Sequence, residues 1–150
     1  MLDINGIAHI ALSVRNISKS KSFYKKLMPF LGLKLVHESK KSIYHVGART
    51  GILIQEADKN ITCSDFSQNN IGLHHFCFRA RSKESIDLIK DKLLEINAKI
   101  IRGPLDGAWA PGYYYILFED PDGIRIEVNY VPGIGVLDKN KKFNPNKDYL

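Results

Sequence analysis

The chain has 150 residues, 44% of them hydrophobic and 25% charged, a length at which one core can bury about two-thirds of the unfolded surface without disulfide or metal staples. The formal charge of +6 is dispersed, with Lys19, Lys21, Lys25 and Lys26 in one early segment and Lys139, Lys141, Lys142 and Lys147 near the end; this speaks against a nucleic-acid reader built on one basic stripe and stays compatible with an anionic small substrate. No apolar run reaches the roughly 18 residues of a membrane span, the first residues lack a secretory pattern, and Cys63 and Cys77 read as free thiols, so a cytoplasmic protein with neither membrane nor nucleic-acid partners is expected.

Residues 6–14 alternate as a strand, with Ala8, Ile10, Leu12 and Val14 on one face and Ile7, His9, Ala11 and Ser13 on the other. Asn16 or Ser18 can cap a helix running to about Leu27, whose buried stripe is Phe23, Tyr24 and Leu27, with Pro29 near its end. After Gly32, strand-like runs occur at 33–37, 42–46 and 51–57. The order is strand, helix, three strands.

A polar connector from Asp58 to Asn70 precedes a second copy of that order. Its first strand sets Leu73, His75, Cys77 and Arg79 on one face and His74, Phe76, Phe78 and Ala80 on the other. Ser82 caps a helix to about Asn97 carrying Ile86, Ile89, Leu93 and Leu94 at helical spacing. Strands follow near 99–102, 113–119 and 123–131, the last two joined by a tight turn at Asp120-Pro121-Asp122-Gly123. The stretch from Gly103 to Gly112, containing Trp109, reads as a loop able to close over a substrate or to fill a core edge. Residues 132–150, rich in Gly, Lys and Asn, read as an irregular tail.

The two halves share motifs as well as order. Gly6-Ile7-Ala8-His9 is matched by Gly72-Leu73-His74-His75, and Gly51-Ile52-Leu53-Ile54-Gln55 by Gly123-Ile124-Arg125-Ile126-Glu127. A period of roughly 70 residues is too long for a solenoid and describes two related modules, between which function is expected to lie. Each copy carries candidate metal donors: His9, His75 and Glu127 all alternate away from the more apolar face of their strands, while Gln55 shares the phase of Leu53 and Ala57. His74 and Glu56, each one step out of phase, are the donors a register slip would substitute.

These residues resemble the vicinal oxygen chelate superfamily, which includes glyoxalase I, methylmalonyl-CoA epimerase, fosfomycin-resistance enzymes, bleomycin-binding proteins and extradiol dioxygenases. The resemblance covers residues 4 to about 131 and rests on His9-Ile10-Ala11-Leu12, Ser22-Phe23-Tyr24 before Leu31-Gly32, His75-Phe76-Cys77-Phe78 and the run Phe118 to Glu127. It implies an α+β fold in which two tandem βαβββ modules, about 4–57 and about 71–131 of a single 1–131 domain, form a glyoxalase-like split barrel, within one chain or exchanged across a homodimer. It further implies His9, Gln55, His75 and Glu127 as ligands of a divalent metal, Fe, Mn, Ni, Co or Zn, with positions left open for substrate.

Such a centre suits a small substrate that chelates the metal through neighbouring oxygens, and lyase or isomerase chemistry is expected, with Glu127 loosening from the metal to act as base. Tyr44, His45, Trp109 and Tyr113 are the candidate substrate contacts. Gln55 leaves both the glyoxalase and the epimerase reading open, since glutamine occurs there in some relatives of each. The competing expectations are an extradiol-type dioxygenase and a metal-free drug-sequestering protein of the bleomycin-resistance type, the latter generally lacking the ligands.

Overall fold

The computed structural model describes residues 4, 6–47, 49–60 and 65–140. The chain divides into two compact units, Met1–Asp65 and Phe66–Leu150. The first contains β1 (His9–Val14), α1 (Ile17–Phe30), β2 (Lys34–Glu38), β3 (Ser42–Gly47) and β4 (Thr50–Glu56). The second contains β5 (Phe76–Arg79), α2 (Lys83–Glu95), β6 (Lys99–Gly107), β7 (Tyr113–Glu119) and β8 (Arg125–Tyr130), then a short 3₁₀ turn at Gly135–Leu137. The sheets have the same plan, β1-β4-β3-β2 and β5-β8-β7-β6, with β1 parallel to β4, β5 parallel to β8, and the other pairs antiparallel. This is the α+β fold of two βαβββ modules that the repeated element order implies. No described helix is long and apolar enough to cross a membrane.

Local chemistry explains the element ends. Asn16 caps α1 by accepting the Lys19 N–H at 3.0 Å, and Ser82 caps α2 by accepting the Ser85 N–H at 3.3 Å. One stripe of each helix is buried, Phe23, Tyr24, Leu27 and Met28 in α1 and Ile86, Ile89 and Leu93 in α2, covering one face of its own sheet. On β7 and β8 that covered face carries Ile116, Phe118, Ile126 and Val128, all buried. The β7–β8 turn is tied by Asp120, whose carboxylate accepts the N–H groups of Asp122 and Ile124 at 2.9 Å each, while Gly123 takes a φ of +84°.

Several boundaries differ from the pattern in the sequence. Helix α1 passes Leu27 and includes Pro29 in its last turn; there Met28 is fully buried and holds the turn against the sheet. Strand β6 continues through Gly103 and Pro104 to Gly107, so half of the expected loop is a strand with two register shifts against β7. It is an edge strand, where proline and bulges are tolerated. Strands β1 and β5 begin at His9 and Phe76, later than their motifs suggest, which places His75 just ahead of its strand. Cys63 and residues 141–150 of the tail lie outside the described residues.

Candidate functional site

In the second unit, the sheet face opposite α2 gathers polar groups around Glu127. The register sets Cys77 and Leu117 beside Glu127, and Arg79 and Tyr115 beside Asn129, so odd-numbered residues of three adjacent strands share this face. Glu127 is buried, at 7% exposure. Its Oε1 accepts a hydrogen bond from the Tyr113 hydroxyl and lies 3.5 Å from Cys77 Sγ. Its Oε2 lies 3.5 Å from His75 Nε2. Asn129 Nδ2 in turn donates to the Tyr113 oxygen at 2.9 Å.

The other nitrogen of His75 is engaged as well, since Nδ1 of His75 and Nδ1 of His74 are 2.7 Å apart. One imidazole must donate and the other accept, so His75 can hold its Nδ1 proton on His74 and offer Nε2 as a lone pair beside Glu127. Burial pulls the His75 pKa below its ordinary value, Glu127 opposing and His74 and Arg125 adding to the shift. Burial likewise pushes the Tyr113 hydroxyl well above its usual range; the Asn129 bond opposes this and Glu127 reinforces it. The Cys77 thiol, on a residue that is exposed overall, is raised first by the protein packed around its sulfur and second by Glu127. Both groups are therefore proton donors toward the carboxylate at neutral pH.

The first unit distributes its candidates differently. His9 pairs with Gly51 and Ser13 with Gln55, so His9 and Gln55 stand four residues apart along one ladder, about 13 Å. In the second unit His75 precedes by two residues the partner of Glu127. The corresponding step from His9 leads to Ala11, whose partner is Leu53. Gln55 matches Glu127 in the motif, whereas the ladder puts an apolar Leu53 at the rung that corresponds to Glu127. The exposed Gln55 amide meets Ser13 Oγ at 3.5 Å instead.

Tyr44 and His45 separate by phase. Tyr44 pairs with Leu53 and lies over Gly51, the residue opposite His9; a Cβ on Gly51 would come within 2.3 Å of the Tyr44 oxygen. His45 points to the other face, fully buried with Ile43, Ile52 and Ile54. As a substrate contact His45 is thus corrected, because strand alternation turns it into the core under α1. Trp109 is half-buried in the connection between β6 and β7. Cys77 and Asn129 were not singled out as partners of the site by sequence, although both share the odd phase of Glu127; His74, named as the donor a register slip would substitute, instead meets the His75 ring.

Two donors, His75 Nε2 and Glu127 Oε2, therefore converge in a manner that suits a metal of imidazole and carboxylate preference, each with its second atom held by protein. Among the described residues no group of three His, Cys, Asp or Glu side chains gathers as a metal cluster.

Comparison with known proteins agrees with the fold. The Glyoxalase/Bleomycin resistance protein/Dioxygenase superfamily matches residues 6–128. The chain is 28% identical over 123 residues to the uncharacterized protein YqjT of Bacillus subtilis (strain 168), covering 80% of this chain and 94% of that protein. It is 30% identical over 126 residues to the metallothiol transferase FosB of Shouchella clausii (strain KSM-K16), covering 84% and 80%. Among solved structures, a candidate glyoxalase from Bacillus halodurans shares the fold with a TM-score of 0.76 at 24% identity, covering 85% of this chain and 96% of that one.

Proposed function

Because this chain belongs to the Glyoxalase/Bleomycin resistance protein/Dioxygenase superfamily, we propose that it is a metal-dependent enzyme acting on a small substrate that chelates through neighbouring oxygens, with lyase or isomerase chemistry. The observation that carries this reading is the approach of His75 Nε2 to Glu127 Oε2 at 3.5 Å, the remaining atom of each group being bonded to protein. His75, Glu127 and His9 would hold a divalent ion of the Mn, Fe, Co, Ni or Zn series. When bound, such an ion supplies Lewis-acid stabilisation to an oxygen that gains negative charge.

The chain's own residues divide the remaining work. Glu127 keeps Oε1 on Tyr113 and has Oε2 free for ligation or for a proton taken from carbon. Arg79, on the same face and without an ion pair among the described residues, gives a positive neighbour that suits an anionic substrate. Tyr44 offers a hydroxyl at the rung of His9. Gln55, four residues from His9 on the ladder, is left out of the proposed ligand set.

A second reading, metal-assisted transfer of a thiol, is favoured by the likeness to FosB. Metal content separates the enzymatic readings from a drug-sequestering one. Protein purified without a metal-affinity tag is expected to hold close to one equivalent of transition metal, or to take it up anaerobically, and His9→Ala, His75→Ala and Glu127→Gln are each expected to lose most of it. Retention by all three variants would defeat the ligand set. Proton exchange next to a substrate carbonyl, against consumption of an added thiol, then separates the two enzymatic readings.

A further inference from the structure

We infer that Tyr113 and Asn129 are positioning residues that fix which oxygen of Glu127 is presented beside His75, an inference that rests on the metal reading. A carboxylate on a strand can rotate about its last bond and offer either oxygen, or both, to an ion. Here the two oxygens have different surroundings. Oε1 accepts from the Tyr113 hydroxyl and has Cys77 Sγ at 3.5 Å, whereas Oε2 faces His75 Nε2.

Asn129 sets the direction of the tyrosine bond. A phenol has one proton to give, and the Asn129 amide N–H, 2.9 Å from the Tyr113 oxygen, occupies a lone pair of that oxygen, leaving the proton for Glu127. With the amide reversed, its oxygen would compete for that proton and leave two acceptors, phenol and carboxylate, facing each other. The three groups sit on neighbouring strands, Tyr113 at the start of β7 and Glu127 and Asn129 two residues apart on β8, so the arrangement is a product of the ladder and not of a mobile loop. Tyr113 thus acts through Glu127 and not on substrate. The carboxylate is held one-handed, with Oε2 alone turned toward His75, and it would offer that single oxygen to an ion.

The test uses Co(II) as probe, with the full chain, reading both affinity and the visible absorption of the bound ion. Tyr113→Phe is expected to weaken Co(II) at least tenfold, the scale of outer-shell partners of metal ligands, and to change the visible bands as the released carboxylate swings to bind through both oxygens. Asn129→Leu is expected to weaken Co(II) in the wild-type background and to add less than twofold in the Tyr113→Phe background, because its effect passes through the phenol. Tyr114→Phe, whose hydroxyl bonds Asp87 on α2 at 2.9 Å, serves as a control that leaves affinity and bands unchanged. Should Tyr113→Phe fail to fold by circular dichroism, Asn129→Leu alone carries the spectroscopic test. Wild-type affinity and bands in a folded Tyr113→Phe or Asn129→Leu would overturn the positioning role while leaving the metal centre standing. A wild-type protein that takes up no Co(II) would overturn the metal reading, and the positioning role with it.

Discussion

His45 lies on β3 with neither ring nitrogen hydrogen-bonded among the described residues, at 0% exposure. Burial pulls its pKa below the ordinary value, Lys25 adds to that, and Glu38 opposes it. A neutral imidazole in such a place costs less than a charged one. Since the folded pKa lies below the unfolded value of about 6.5, the unfolded chain binds more protons in the interval between the two. The contribution to stability is then complete above about pH 6.5 and falls as pH drops toward the folded pKa. Substituting His45→Leu is expected to flatten the denaturant midpoint between pH 7 and 5 while preserving metal uptake; an unchanged slope would show that the titration lies elsewhere. Residue type alone made His45 and Tyr44 equal candidates for the site. Strand parity, which needs the register with Ile52 and Leu53, turned one into the core and the other toward His9.

At the scale of elements, most of the order was written in the chain. Caps at Asn16 and Ser82, the stripe from Ile86 to Leu93 and the Asp120–Gly123 turn are local signals, each satisfied by a bond or a face within a few residues. Edges were less legible, because an edge strand such as β6 is extended by pairing with a neighbour and not by its own propensity. The end of β3 shows a constraint of the same non-local kind. A Cβ on Gly47 would meet the backbone oxygen of Gly32 at 2.5 Å and the Leu33 Cα at 2.9 Å, so the connection after α1 crosses β3 where only glycine leaves room. The substitution Gly47→Ala is expected to cost about 1–3 kcal/mol, read as a lower urea midpoint at unchanged m-value. A loss below about 0.5 kcal/mol, the range of ordinary surface changes, would show that the crossing yields easily.

For the molecule as a whole, the proposed metal binding would be coupled to folding, since an unfolded chain holds no preformed site. A ligand that binds only the folded form at a free concentration about 100 times its Kd stabilises it by about 2.7 kcal/mol, or roughly 5–10 °C in Tm for this size. Co(II) or Zn(II) is expected to raise the melting temperature by that order in the wild type and to leave His75→Ala unmoved; an equal rise in both would mean that the ions bind elsewhere. The sequence by itself determined the family, the doubled βαβββ order and the parity of His9, His75 and Glu127, because alternation, caps and a repeated motif are encoded over short stretches. Tertiary structure alone decided the pairings. The ladder of β1 with β4 runs two residues out of step with the motif match to β5 and β8, which substitutes Leu53 for Gln55 opposite Ala11, and the approach of Tyr113 and Asn129 to Glu127 depends on strands brought side by side. Hydrogen-bonded register is a relation between distant segments, and no single segment contains it.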